Sequence, residues 1–429
     1  MIAFRGESCT YCGGCVSVCP SGALELAETR LAIVEERCIG CELCIQACPT
    51  GALLTEEERE PCPSVVRRRH DLVVVGAGPA GSTAARVGAE RGLTVLLVEK
   101  RQEIGSPVRC AEGINRELLL PFLEPEDRWI SAEVNNSRIT AMDTGETRLF
   151  AGEEVGYVLE RRVFDRVLAE RAVAAGAQVI VKTMVDGLIV EDGVVRGVMA
   201  RNGQSSLEIE ASMVIGADGV ESRVGHWAGL RSVLRQEDCL VCAQFMLAGI
   251  ELDPNCCYYY LGEELAPGGY AWIFPKGEEM ANVGLGVQAD LAALSALEYL
   301  HRFIGQYPFL EQGSPVTLIT GNVPVGVPPA DIVSNGLMLI GDAARQADPL
   351  TGGGIANAMV AGRLAAEVAA EAVDARDTSR GFLREYQRRW REARGRKMER
   401  NYRLKECFSA PERISRGFLR AFAVATVGK

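Results

Sequence analysis

Long apolar runs are what this chain of 429 residues most plainly lacks. None reaches the roughly 18 residues that a membrane span needs, and no secretory leader opens the sequence. The expectation is a cytoplasmic protein, at most peripheral on the membrane's cytoplasmic face. Histidine is scarce: His70, His226 and His301 are scattered, and none is assigned catalytic work. Net positive charge is missing too. At −11 the chain is a poor candidate for general nucleic-acid binding. The charge is uneven, because 16 Lys/Arg face 6 Asp/Glu from Arg376 onward, a local +10 against −21 elsewhere. That basic end suits anionic headgroups or phosphates, and equally a pair of solvated surface helices. What is present is ordinary for a globular protein: 48% hydrophobic and 24% charged residues, over a length that predicts two or three domains. Forty-six glycines point to tight turns and close backbone approaches to a ligand.

Eight of the 15 cysteines form two runs, Cys9, Cys12, Cys15, Cys19 and Cys38, Cys41, Cys44, Cys48. Both follow C-x-x-C-x-x-C-x-x-x-C-P, the bacterial ferredoxin spacing, in which three thiolates wrap a cubane and the fourth serves the other cluster. One [4Fe–4S] cluster would then take Cys9, Cys12, Cys15 and Cys48, the other Cys38, Cys41, Cys44 and Cys19. Zinc has no use for this three-plus-one repeat. The echo of "CPSGAL" in "CPTGAL" marks duplicated half-domains. Such clusters carry one-electron traffic and belong in a reducing, oxygen-poor cytoplasm.

After a Pro/Arg-rich linker comes "DLVVVGAGPAGSTAARVGAERGLTVLLVEK". An apolar strand meets Gly76, Gly78 and Gly81, then a small-residue helix, then a second strand ending at Glu99. This is the dinucleotide-binding β-α-β unit, with the glycines at the pyrophosphate and the acid at a ribose hydroxyl. No second such unit exists in the chain, so a separate NAD(P)H domain is not expected and the clusters are the natural electron source. "MVIGADGVES", with Asp218 and Gly219, and "GLMLIGDAARQADPLTGGGIANAMVAG" follow in order.

With those three motifs in this order, the chain resembles the flavin-dependent hydroxylase superfamily. The resemblance implies that Gly341 and Asp342 meet the FAD ribityl chain, and that Gly353, Gly354 and Ile355 offer N–H groups to the pyrimidine edge. It also implies an arginine near the FAD, Arg161 or its neighbour Arg162. The stretch "PGGYAWIFP" puts Tyr270, Trp272 and Phe274 on one face of a strand. It resembles the P-x-x-Y-x-W-x-F-P element of geranylgeranyl reductases. "VRCAEGI", with Arg109 and Cys110, resembles the Cys-containing segment of the same family and places both beside the flavin. The likeness runs from about Asp71 to near the C-terminus, with the ferredoxin part as an extra fusion.

The fold expected is α/β with α+β parts. A 2[4Fe–4S] ferredoxin domain spans 1–60 and a linker 61–70. A Rossmann-like FAD domain of the aromatic hydroxylase type spans 71–360, with a substrate β-sheet inserted at about 235–325, and basic C-terminal helices fill 361–429. The function implied is saturation of C=C bonds in polyprenyl chains. An isolated alkene needs a proton at one carbon and a hydride at the other, and an aromatic wall can hold the chain and exclude water. Tyr270 and Trp272 are the candidate wall, Phe274 the candidate on the flavin side, and Tyr270 or Cys110 the candidate proton source. A buried inert thiol is an equal reading of Cys110. Reduced ferredoxin or another low-potential donor would load the clusters. Two alternatives are an electron-transfer flavoprotein:quinone oxidoreductase-like dehydrogenase and a non-catalytic electron relay. "CLVC" (Cys239, Cys242) and Cys256-Cys257 read as strand core. The end, "SRGFLRAFAVATVGK", reads as a membrane-surface segment or a docking helix.

Overall fold

The computed structural model describes residues 2–9, 13–27, 30–55, 68–202, 205–230, 234–327, 329–408 and 422. The described residues among the first 55 fold as two like halves. Strand Ile2–Phe4 pairs antiparallel with Leu53–Thr55, and Leu24–Ala27 with Arg30–Ile33. Each half carries one short helix, Gly14–Ser17 or Leu43–Ala47, entered through a left-handed residue, Gly13 or Glu42. Helices this short do not stand alone. A small core of Leu24, Leu31, Cys44 and Leu53 holds them.

The next strand, Arg68–Val75, becomes continuously apolar only over Leu72–Val75, where it is buried on both faces. It lies between Val95–Val98 and Ser205–Gly216, all parallel, with Gln178–Ile180 and Leu337–Leu339 extending the parallel order at either side. Helices Pro79–Glu90 and Ile355–Asp374 pack against one another beside this sheet. They touch so closely at Gly362 that a Cβ there would stand 2.3 Å from the Ala80 carbonyl oxygen. The parallel strands end together at Val75, Val98, Gly216 and Leu339, where open α/β sheets bind ligands.

A second, eight-stranded sheet lies over those strand ends. Its order is Ser314–Pro324, Cys239–Ala248, Met280–Gln288, Tyr270–Pro275, Cys256–Leu261, Ile130–Ala141, Thr147–Leu159 and Gly113–Asn115. It therefore draws on strands well before residue 235. Strand Tyr270–Pro275 is central and shows the period-2 division of faces. Ala271 and Ile273 join a core with Tyr299, Leu300 and Phe303 of helix Ala296–Gly305. Trp272 and Phe274 pack on the opposite face with Val134, Val158 and Cys257. Gly284 is what lets Trp272 lie there, since a Cβ would meet its ring at 2.6 Å and Gln244 Cβ at 2.8 Å.

The basic end is helical from Arg380 to Phe408, with one π-turn at Arg391–Gly395. Much of its charge is paired within the protein, as in Arg389 with Glu371 and Glu385. Of the terminal stretch only Phe422 is described; it is fully buried against Tyr259 and Tyr270, as a docked residue would be. Among the described residues no helix is long and apolar enough to cross a membrane.

The Gly284 contact generates a stability prediction. Gly284→Ala should destabilise by about 1–3 kcal/mol through overpacking, read as a lower thermal midpoint. Gly305→Ala, where no atom lies within 4 Å of the added Cβ, should stay within about 0.5 kcal/mol of the parent.

Candidate active site

The ferredoxin-like unit encloses two small cavities. One is bordered by Cys9, Cys15 and Cys48, the other by Cys19, Cys38, Cys41 and Cys44. Cys12 lies outside the described residues. Cys48 thus stands with Cys9 and Cys15, and Cys19 with Cys38, Cys41 and Cys44. Cys48 and Cys19 have matching surroundings. Cys19 Sγ accepts from the Ala23 amide at 3.3 Å with the Ser21 hydroxyl at 3.6 Å. Cys48 Sγ accepts from the Ala52 amide at 3.2 Å with the Thr50 hydroxyl at 3.6 Å. The Ser21 hydroxyl holds the Cys19 thiol below its ordinary range. Burial works against Cys48, but Thr50 and the nearby amides outweigh it. Hydrogen bonds that favour thiolate are what a ligated sulfur needs, so these residues fit an iron–sulfur cluster.

One large cavity, about 1280 Å³, runs from the ends of the parallel strands to the face of the second sheet. At its first end, Gly76 and Gly81 are needed for the turn. A Cβ at Gly81 would overlap the Gly76 carbonyl oxygen at 1.9 Å, and one at Gly76 the Ala217 carbonyl oxygen at 2.4 Å. Gly78 differs, for its missing Cβ faces open cavity and leaves the backbone approachable. Glu99 is fixed in place by accepting from the amides of Ala77 and Arg101, each at 2.9 Å. Arg109, Gly219, Gly341, Gly353, Gly354 and Ile355 line the same space. Asp218 Oδ1 is buried without a partner, and burial pushes both Asp218 and Asp342 upward. Buried carboxylates on a cavity wall ask for hydroxyl or N–H donors from a ligand, and a nucleotide's sugars supply them. The residues fit FAD.

At the other end Tyr270, Trp272 and Phe274 face the cavity with Tyr259 and Cys257. Their polar atoms are occupied. Trp272 Nε1 donates to Gln244 Oε1 at 2.8 Å, and Tyr270 OH donates to the Thr351 carbonyl at 2.5 Å, tying the wall to the Gly-triplet loop. Between the two ends stands Cys110. Burial raises its thiol, while the adjacent Arg161 guanidinium draws it back. Arg161 is itself held by Asp165 through two bonds of 2.8 Å, whereas Arg162 lies outside the cavity and pairs with Glu103 on the surface.

The sequence matches three family models in the same order as these parts. They are a 4Fe-4S dicluster domain over residues 8–52, an FAD binding domain over 69–253 and a geranylgeranyl reductase catalytic domain over 238–323. A digeranylgeranylglycerophospholipid reductase from Methanosarcina acetivorans is 49% identical over 347 residues, 79% of this chain and 84% of that protein. One from Methanothrix thermoacetophila is 49% identical over 344 residues, covering 79% and 88%. The chain belongs to the geranylgeranyl reductase family. A geranylgeranyl bacteriochlorophyll reductase-like protein from Thermoplasma acidophilum superposes with a TM-score of 0.79 at 39% identity, covering 85% of this chain and 98% of that one. A flavin-dependent brominase, at 19% identity and a TM-score of 0.65, shares the fold. The chain is a flavin-dependent oxidoreductase whose iron–sulfur domain precedes the FAD binding domain.

Sequence reasoning missed part of the site. Cys242 borders the cavity rather than only filling strand core, and so do Cys257 and Tyr259 of the stretch Cys256 to Gly262, which read either as an extension of the pocket or as strand packing. Cys242 is pushed up to about 12 by burial and is no ready nucleophile. Also missed were Glu112, Gln244, Lys276 and Asn282, which bond one another or the Cys110 loop. Gln244 and Asn282 were visible as single polar residues on otherwise apolar strands, and Glu112 and Lys276 lie just outside strand ends, but their partners lie over a hundred residues away.

Gly78→Val should fill the open cradle. The expected result is at least about tenfold weaker FAD binding, or about 1.4 kcal/mol, read by flavin absorbance after gel filtration, with circular dichroism unchanged.

Proposed function

We propose that this protein saturates C=C bonds in the geranylgeranyl chains of membrane lipids, with archaeal-type digeranylgeranylglycerophospholipids as substrate. The observation that carries this reading is the single cavity shared by the glycine loops and the aromatic wall. At about 1280 Å³ it exceeds the roughly 300–1,000 Å³ of an ordinary small-molecule site. It has room for a dinucleotide and a second, apolar ligand. The names of the relatives point to the same lipid class.

The FAD contacts proposed are Gly76, Gly78 and Gly81 at the pyrophosphate, Glu99 at a ribose, and Asp342 with Gly341 at the ribityl chain. Arg109, Cys110, Arg161, Asp218 and Gly219 border the remainder, and Gly353, Gly354 and Ile355 the pyrimidine edge. Bound FAD supplies a hydride, and the iron–sulfur clusters supply the single electrons that restore it. Two [4Fe–4S] clusters are proposed, one on Cys9, Cys12, Cys15 and Cys48, the other on Cys38, Cys41, Cys44 and Cys19. A low-potential donor such as reduced ferredoxin would load them, and the lipid would be met at the cytoplasmic face of the membrane.

The protein's own part is to hold an apolar chain and move one proton. Tyr270, Trp272 and Phe274 present ring surface and shed water. Cys110 is the proposed proton donor, because burial keeps its thiol protonated near neutral pH. Tyr270 is the weaker candidate, since its hydroxyl proton is already committed to Thr351 O.

Three outcomes test this. Cys110→Ser should slow alkene reduction by about 10²-fold while leaving flavin reduction by dithionite unchanged, and Tyr270→Phe should cost less than about tenfold. Full activity in Cys110→Ser would remove the thiol from the mechanism. Anaerobically, dithionite-reduced protein mixed with digeranylgeranylglyceryl phosphate should reoxidise its flavin as the lipid gains mass in steps of two hydrogens. Reoxidation by a quinone but not by the lipid would overturn the substrate. Finally, Cys48→Ser should lower iron from about eight to about four atoms per chain, measured by metal analysis.

A further inference from the structure

Directly after the aromatic wall, Lys276 turns inward, its side chain only 3% exposed. Its ammonium donates to Glu112 Oε2 at 2.8 Å, to the Leu159 carbonyl at 2.6 Å and to Glu160 Oε2 at 3.1 Å. Asn282 Nδ2 donates to the same Glu112 oxygen at 2.7 Å and to the Ala111 carbonyl at 3.2 Å. The other carboxylate oxygen accepts from the Arg161 amide at 2.8 Å. Glu112 thus has both oxygens engaged, on a backbone with φ of 76°, a region that non-glycine residues seldom adopt. Such a conformation persists only where its surroundings impose it.

Those surroundings converge on Cys110. The Glu112 amide donates to Cys110 Sγ at 3.2 Å, and Gln244 Nε2 to the Cys110 carbonyl at 3.2 Å. Arg161, whose amide Glu112 holds, brings its guanidinium against the same sulfur. We propose that Lys276, Glu112 and Asn282 form a positioning network that fixes the Cys110 thiol between the aromatic wall and Arg161 and sets its reactivity. This rests on Cys110 being the proton donor only for its catalytic meaning; the coupling itself is a property of this chain.

The charged and titratable groups facing Cys110 are Arg161 with its partner Asp165, Glu112 from its own loop, Tyr270 from the wall strand and Cys242 from a neighbouring strand. Of these, Glu112 raises the thiol, and its partner Lys276 is the cation that offsets it. On this proposal the two ends of that ion pair act on the sulfur with opposite sign.

The test uses full-length protein loaded with flavin and clusters, under anaerobic conditions. Cys110 alkylation by iodoacetamide is followed against pH by peptide mass spectrometry. Lys276→Met should move the midpoint up by about one pH unit and Glu112→Gln should move it down by a similar amount. Lys276→Arg should stay near the parent, and the double variant K276M/E112Q should fall between the singles. A merely structural network predicts loss of thermal stability in both singles with midpoints unmoved or moved the same way, and that result would overturn the proposal. If Lys276→Met does not fold, Glu112→Gln and the double variant decide by the same criterion. Opposed shifts combined with full activity in Cys110→Ser would uphold the coupling while removing the proton-donor reading.

Discussion

The flavin unit depends on one seam, where the ends of a parallel sheet meet the face of an antiparallel one. Parallel strands buried on both faces can end only in loops, and those loops carry the exposed backbone N–H groups that suit a pyrophosphate. Antiparallel strands can divide their faces, so one face packs on helix Ala296–Gly305 while the other stays open to a ligand. Neither sheet alone makes both a nucleotide cradle and an apolar wall. Joined along the seam, they enclose both in a single cavity.

The seam places charge in a region poor in water. Arg161, Asp165, Glu112 and Lys276 are all buried or nearly so, and each has an opposite partner within 2.8 Å. Isolated, any of them would cost several kcal/mol. As pairs they cost far less, and they bring direction with them. For Arg161, burial favours losing the proton, but the Asp165 carboxylate outweighs it and keeps the guanidinium charged. For Cys110 the balance tips the other way, because burial outweighs the guanidinium and the thiol stays neutral.

Most of the placement of the glycine loops and cysteine runs was legible in the sequence because it is local. Gly76, Gly78 and Gly81 lie within six residues, Gly352 to Ile355 are consecutive, and each cysteine run spans eleven residues, so spacing alone carries shape. The alternation in Tyr270, Trp272 and Phe274 was equally readable, since a strand's two faces follow from period two. The extent of the second sheet was less so. Strands Ile130–Ala141 and Thr147–Leu159 join it from before residue 235, through a parallel pairing with Cys256–Leu261 that no local pattern announces. The Glu112–Lys276 pair is 164 residues apart in the chain. A lone lysine after a strand reads as a solvated end until the fold brings an acid to it.

An apolar substrate explains why such a pair belongs beneath an aromatic wall. Hydrophobic contact is non-directional, so a polyprenyl chain on the proposed wall of Tyr270, Trp272 and Phe274 would be held in depth but not in register. Proton transfer tolerates no such slack, because donor and acceptor must meet at hydrogen-bond range. The alkene carries no polar group that could supply the alignment, so the protein must supply it from its own side. With Cys110 as the proposed donor, the hydrogen bonds converging on residues 110–112 from Gln244, Lys276 and Asn282 would do so by fixing the donor, since the target cannot be fixed. The apolar wall and the buried polar network are therefore two halves of one requirement, and a wall without the network would bind the chain without directing a proton to it.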